Sequence, residues 1–344
     1  MKEYRPAVSI VLCVYNGRRF LDDMIRHLEA QTFTDFEIVF VVDKRSNDGS
    51  MEYIEDYCSK EKRASMIIQE RRSRLGGAKN LGIENAKGKY LWFPDVDDIP
   101  SETFLKRMID AKESTKSDLA MCNFQYTDDR RWKCPGTGEV LVMSGKTALH
   151  ARSLNIIPVT SWAMLYDRQH ILKNRIWFTE AMAEDVAFTY LALDSAERVC
   201  YITTPLYGYY QNEESFCKRN KDERGKKELE SYMYLSKMLP QENRYLQNRL
   251  CLIGMRSMVH MSKRGFYRET RKDGLKMFVD KSLDTMGRTE YHFIKLFPGL
   301  YHTGVNWYIN HFYCRTGKIY TDKGKMKTLR KIVESSKGSE TTQY

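Results

Sequence analysis

Asp95 and Asp97, in the segment Phe93-Pro94-Asp95-Val96-Asp97-Asp98, are two carboxylates one residue apart at the end of a short apolar run. On extended backbone such a pair can converge on one hard cation, Mg²⁺ or Mn²⁺, and leave coordination positions free for phosphate oxygens. Asp98 precedes Ile99-Pro100 and reads as the N-cap of a following helix. Asp43 ends an earlier apolar run, ahead of Lys44-Arg45-Ser46-Asn47-Asp48-Gly49. It can accept hydrogen bonds from a base or a ribose, or serve as an ordinary turn residue. Gly76-Gly77-Ala78-Lys79-Asn80 opens a helical pattern, and helix N-terminal amides beside a lysine suit a diphosphate. Glu184-Asp185 is an acid pair inside an otherwise apolar stretch. One of the two can act as a general base tuned by partial burial; equally, both can be acids favoured by a helix N-terminus. No GxGxxG follows the first apolar run and no GxxxxGK[ST] occurs, which argues against dinucleotide and P-loop readings.

The elements that must position these groups alternate. Val8–Val14, Phe36–Val42, Ser65–Ile68, Tyr90–Phe93 and Leu119–Cys122 read as strands. Between them helical spacing runs through Phe20, Leu21, Met24, Ile25 and Leu28, from Asp48-Gly49-Ser50 to about Cys58, over Gly76–Ala86, and onward from Pro100, which suits a first helical turn. Strands apolar on both faces, joined by helices, predict an α/β fold with a mostly parallel sheet. Ligands of such sheets bind beyond the carboxyl ends of the strands, where Asn16, Asp43 and Asp95 all fall. After about residue 215 strand patterns fade, and Leu246, Leu250, Ile253, Met255 and Met258 recur at helical spacing. The expected division is therefore residues 1–215 and a basic, mainly helical region 216–344 with a frayed end.

Charge follows the same division. Residues 1–217 carry 29 Lys+Arg against 32 Asp+Glu, a balance of −3; residues 218–344 carry 27 against 13, a balance of +14. A basic half can meet an anionic membrane, a nucleic acid or an acidic glycan, or simply solubilise the chain. No RNA-recognition signature accompanies the charge, so no nucleic acid partner is expected. Hydrophobic residues at 42 % suffice for a globular core, and no apolar run is long enough to span a bilayer. The eight cysteines show no CxxC or zinc spacing, and Cys13, Cys122 and Cys200 sit in apolar runs. With no secretory leader at Met1–Pro6, these features predict a cytoplasmic protein, peripheral at most on the inner membrane face.

In order along the chain, these segments resemble family 2 glycosyltransferases, nucleotide-sugar enzymes of the GT-A fold, over Pro6 to about Asn212. Val8 to Asn16 looks like the family's opening strand, and Gln31 to Ile38 like its next helix–strand junction. Val42-Asp43 through Ser50 resembles its VDDGSxDGS stretch, and Gly76 to Ile83 its GxxARNxGI run. Asp95-Val96-Asp97-Asp98 matches the DxDD metal motif and Glu184-Asp185 the ED base motif. Trp162 to Tyr166 is similar to the acceptor-side stretch, and Pro205 to Tyr210 to the closing strand. Departures are Cys13, Lys44-Arg45 where Asp-Gly is usual, Pro94, and Lys79 in place of Arg, which loses bidentate phosphate geometry.

The resemblance implies roles. Tyr15 and Asp43 would hold the base, uracil by preference. Lys79 would meet the diphosphate, Asp95 the ribose or metal, and Asp97 the metal. Asp185 would be the catalytic base with Glu184 as alternate, and Trp162 would line the acceptor side. The implied reaction is inverting transfer of a hexosyl or hexosaminyl group from a nucleotide sugar to a hydroxyl of a glycan or lipid-linked saccharide, in surface polysaccharide synthesis. The competing expectation is a non-catalytic relative that docks on membrane or RNA through its basic half.

Overall fold

The computed structural model describes residues 5–71, 74–158, 160–180, 184–211, 221–239 and 318–339, with 246, 250, 253, 254, 293, 296, 297 and 300–304. The chain opens β1 (Val8–Val14), α1 (Arg18–Glu29), β2 (Phe36–Asp43), α2 (Ser50–Lys60), β3 (Ala64–Gln69), α3 (Arg74–Asn85) and β4 (Tyr90–Trp92). It continues β5 (Ile99–Pro100), α4 (Phe104–Thr115), β6 (Leu119–Thr127), β7 (Val140–Met143), α5 (Gly145–Ser153), β8 (Met164–Asp167), α6 (Arg168–Lys173), α7 (Glu184–Ser195) and β9 (Val199–Tyr210). Two later helices are α8 (Lys221–Met238) and α9 (Lys323–Ser339).

The nine strands form one sheet in the order β3-β2-β1-β4-β8-β6-β9-β5, with β7 on β9. β3, β2, β1 and β4 are mutually parallel, as are β6 and β9; β8, β5 and β7 run antiparallel to their neighbours. Alternation along the strands builds two cores. Val11, Val39 and Leu91 face one; Ile10, Ile38, Phe40 and Trp92 face the other. On the second face α1 buries Leu21, Met24, Ile25 and Leu28, a three-to-four-residue stripe. Each such side chain contributes about 1.5–3 kcal/mol of transfer energy.

Two expectations near the carboxyl edge are corrected. Pro100 does not open a helix: Ile99-Pro100 is a short strand on β9, where proline is tolerated at an edge, and the helix begins at Phe104. Asp98 is consequently no N-cap but is buried, accepting Tyr210 N–H at 2.9 Å. The far end of the chain is also not purely helical. Residues 318–320 lie along the end of β6, with Tyr126 N–H on Lys318 O at 3.0 Å and Tyr320 N–H on Phe124 O at 2.9 Å. Thr321 N–H donates to Asn123 Oδ1 at 2.9 Å, and α9 packs on α5 and β7. This segment therefore packs against the sheet and α5. The boundary near residue 215 lies outside the described residues, as do Met255 and Met258, whereas Leu246, Leu250 and Ile253 are described and helical.

Candidate functional site

From β1 the chain steps outward through β2 to β3, then returns to place β4 on β1's other side, so a crevice opens beyond the carboxyl ends of β1 and β4. Three loops meet there. The first turns at Asn16, with φ 50°, where an asparagine tolerates the left-handed region better than most residues. Asn16 Oδ1 accepts Asn47 N–H at 2.9 Å, and Asp48 Oδ2 accepts Arg18 N–H at 2.9 Å, so the loops after β1 and β2 are stitched together. Tyr15 projects from this turn with 61 % of its surface exposed. Asp43 is 6 % exposed, and its Oδ1 accepts the N–H of Arg45 at 2.9 Å and its Nε at 2.8 Å. Arg45 also bonds Oδ2, while its guanidinium lies 5.7 Å from the Tyr15 ring centroid. The Lys44-Arg45 departure thus provides a resident partner for Asp43.

The third loop follows β4. Asp95 N–H donates to Tyr207 Oη at 3.1 Å, and Asp98 N–H to Asp95 O at 3.2 Å. Arg130 braces it from the side. Its Nη1 donates to Asp97 O at 2.6 Å, while Nε and Nη2 reach Asp23 Oδ2 on α1 at 3.1 and 3.0 Å. The backbone of this loop is therefore pinned from both sides. Burial lifts the Asp95 carboxyl to about 7; Lys79 opposes this, and the charges of Asp97 and Glu184 add to it. Burial, then Asp97 and Asp95, hold Asp98 well above the usual carboxylate range.

The glycine-rich run behaves differently from expectation. Helix α3 starts at Arg74, so Gly76 and Gly77 lie in its first turn and not ahead of it. Gly76 is required by contact: a Cβ there would stand 1.9 Å from Thr179 O. Asn80 Oδ1 accepts Phe178 N–H at 2.9 Å and its Nδ2 donates to Phe178 O at 2.9 Å. Lys79, 3 % exposed, donates to Glu184 Oε1 at 2.8 Å and Ser161 Oγ at 3.0 Å. Burial alone would lower the lysine, but Glu184, Asp95 and Asp185 outweigh it and raise it. The run is a seat for the segment leading into α7, and Lys79 is committed to Glu184 rather than pointed at a free diphosphate site.

Glu184 and Asp185 open α7, and the structure separates them. Glu184 is buried in the lysine pair; Asp185 is half-buried. Desolvation and the Glu184 charge push Asp185 up to about 7, with Lys79 opposing and Asp95 and Glu228 adding. A carboxyl near 7 is suited to taking a proton at neutral pH. Trp162, expected on the acceptor side, is 5 % exposed; it stacks on Tyr207 at 4.4 Å and Tyr209 at 5.3 Å between centroids. It supports that side from within the core instead of lining it. Sequence reading missed Ser161, Arg130 and Tyr207 as supports, because each meets its site partner across 33 to 112 residues.

Among the described residues no three His, Cys, Asp or Glu side chains form a ready cage for an ion. The donor set still fits a hard divalent cation of the Mg²⁺ or Mn²⁺ kind. Asp95 and Asp97 raise each other's electrostatic cost, which a cation would relieve, and such ions complete their coordination with substrate phosphates and water.

Comparison with known proteins agrees with this fold. The family model described as glycosyl transferase family 2 matches residues 9–173. The glycosyltransferase EpsJ of Bacillus subtilis is 33 % identical over 218 residues, covering 61 % of this chain and 62 % of EpsJ, so the chain spans about three fifths of that relative's length. Residues 1–349 of Staphylococcus aureus TarS, solved with UDP-GlcNAc, superpose with a TM-score of 0.64 at 18 % identity, covering 91 % of this chain and 95 % of that one. A mannosyltransferase from Pyrobaculum calidifontis, solved with GDP-Man and Mn²⁺, gives a TM-score of 0.53 at 12 % identity, covering 86 % and 88 %.

Proposed function

Through residues 9–173 this chain belongs to glycosyl transferase family 2, and on that premise we propose that it moves a sugar from a nucleotide donor to an acceptor hydroxyl with inversion at the anomeric carbon. One observation carries the reading. Asp185, poised near neutrality, shares one electrostatic cluster with Lys79, Glu184 and Asp95 at the carboxyl edge of the sheet. The donor lies across that edge, its base against Tyr15 and Asp43 and its diphosphate toward Asp95 and Asp97. Asp97, with Asp95, would hold a divalent cation, which when bound screens the charge gathering on the departing diphosphate.

Asp185 takes the proton from the acceptor hydroxyl as its oxygen attacks the face opposite the nucleotide. Glu184 fixes the start of α7 through Lys79, so its carboxylate is not free for the proton. A UDP-sugar donor is supported by the fold shared with a UDP-GlcNAc-bound structure, and a glycan or lipid-linked saccharide acceptor fits polysaccharide synthesis. The membrane-facing part of the reading rests on the +14 balance of residues 218–344 and on Phe293, Leu296, Phe297 and Leu300, exposed at helical spacing. Among the described residues no helix is long and apolar enough to cross a bilayer.

The decisive experiment is Asp185→Asn. Transfer from the matching nucleotide sugar should fall by about 10²–10⁴-fold while nucleotide affinity, read by calorimetry, stays within about twofold. Normal turnover in this variant would remove Asp185 from the role.

A further inference from the structure

Away from the crevice, the last turn of α5 carries a cation in the interior. Arg152 is 3 % exposed and makes no ion pair among the described residues. Its Nη1 donates to Asn155 Oδ1 at 2.7 Å and, at 3.4 Å, to Ile157 O and Tyr320 Oη; its Nη2 donates to Tyr232 Oη at 3.4 Å. Every one of these acceptors is neutral, and three are at the edge of hydrogen-bond range. The groups that act most strongly on the guanidinium are three phenols, of Tyr190, Tyr320 and Tyr232.

Counting donors shows what is missing. Among the described residues Arg152 Nε–H has no acceptor within hydrogen-bond distance. The Tyr190 hydroxyl, on a fully buried side chain, has no partner within that distance either, and the group acting on it is the Arg152 guanidinium itself. Tyr232 Oη receives Arg152 Nη2 and feels the charge of Glu228 one turn earlier on α8, whereas Tyr320 gives its proton to Asn155 Oδ1 at 2.7 Å. Two donors and a positive charge without an ion pair therefore converge where, among the described residues, no acceptor stands within hydrogen-bond distance. A buried charge is retained only when it is paired and hydrogen-bonded. A second cation stands beside this group: Lys325 of α9 lies 3.8 Å from the Tyr320 ring centroid, its ammonium pushed down to about 7 by burial and by Arg152 and Lys318, against the pull of exposed Asp322.

We propose that Arg152, Tyr190 and Tyr232 form a binding site for one small inorganic anion, phosphate or chloride, at the junction of α5, α7, α8 and residues 318–321. The chemistry selects an acceptor-only group, since the groups left unused there among the described residues, Arg152 Nε–H and the Tyr190 hydroxyl, can donate, and charge-assisted hydrogen bonds to a guanidinium and phenols are the strong kind. Enclosure selects a small one: Tyr190 is 0 % and Tyr232 5 % exposed, while the half-buried Asn155, Tyr320 and Lys325 mark the outer side. The site lies behind the catalytic helix. Tyr190 sits on α7 five residues after Asp185, about 8 Å along the axis. Occupancy would tie α7 to the C-terminal segments, a role separate from sugar transfer.

The test uses the full chain, exchanged into sodium gluconate buffer and titrated at constant ionic strength with sodium chloride or sodium phosphate, with unfolding temperature as the readout. Wild-type protein should show saturable stabilisation by at least one of the two anions. Tyr190→Phe, which removes only a hydroxyl with no hydrogen bond of ordinary length among the described residues, should fold normally and weaken that anion's apparent affinity tenfold or more. Arg152→Met should abolish the response, and in gluconate should lose less stability than it loses in the stabilising anion. If Arg152→Met does not fold, Tyr190→Phe decides alone. The proposal is overturned if neither anion stabilises beyond gluconate, or if Tyr190→Phe responds as wild type does.

Discussion

Replacing Lys79 with methionine tests the division of labour between the two acids. The ammonium is 3 % exposed and its partner Glu184 has an 11 % exposed side chain, so this is a buried pair with a 2.8 Å bridge. Removing one member of such a pair strands the other charge, and the cost is about 3–5 kcal/mol. Lys79 also opposes the upward shift of Asp185 and Asp95, both held at about 7. A unit charge ~6 Å away at an effective dielectric of ~20 acts with about 3 kcal/mol, an upper bound near two pH units once solvent screening is included. Lys79→Met should therefore lower stability in urea by about 3 kcal/mol and move the acid limb of the transfer pH profile upward by about one unit. The sign follows from the base, which must be deprotonated to act; without the cation it holds its proton to higher pH. Glu184→Gln in the same background should recover part of the lost stability, because the stranded charge is gone. A loss below about 1 kcal/mol together with an unmoved pH profile would refute the argument that this pair holds Glu184 and tunes Asp185.

Three further outcomes are expected. Asp97→Asn should abolish the Mn²⁺-dependent part of UDP binding in calorimetry while the protein unfolds at its usual temperature. Gly76→Ala should destabilise by about 1–3 kcal/mol in denaturant titrations, since the added Cβ meets Thr179 O at 1.9 Å and neither helix nor loop can yield freely. Co-sedimentation with vesicles containing anionic lipid should be strong at low salt and fall at high salt, with neutral vesicles left unbound; indifference to lipid charge would leave the basic half a solubilising or subunit-contact element.

The strand–helix alternation was legible because both-faced apolar runs such as Val8–Val14 leave few alternatives, and the placement of Asp43 and Asp95 at strand ends followed from it. Asp98 and Pro100 misled because an acid before Ile-Pro is a good local helix start; the competing pairing partner, β9, lies over 100 residues away. The Gly76–Asn80 run was seen but assigned to a ligand, since nothing local indicates that Thr179, Phe178 and Glu184 would be its neighbours. The return of residues 318–321 onto β6 was invisible for the same reason. Its short extended stretch carries no alternation of its own and is held by Asn123 and Phe124.

On the proposed placement of the donor's base against Asp43, the grip of Arg45 makes nucleotide entry an exchange. The acceptor carboxylate at the end of β2 is oriented before any ligand arrives, by an arginine two residues on whose side chain is 41 % exposed. An incoming base need not order that carboxylate; it takes over hydrogen bonds whose directions are already set, while the released guanidinium swings into solvent or onto the newcomer's face above Tyr15. Discrimination at this position is then a contest between two partners for one fork, decided by the difference between their bonds and not by the sum of either. A base that offers Asp43 less than the resident arginine does will be turned away without a clash.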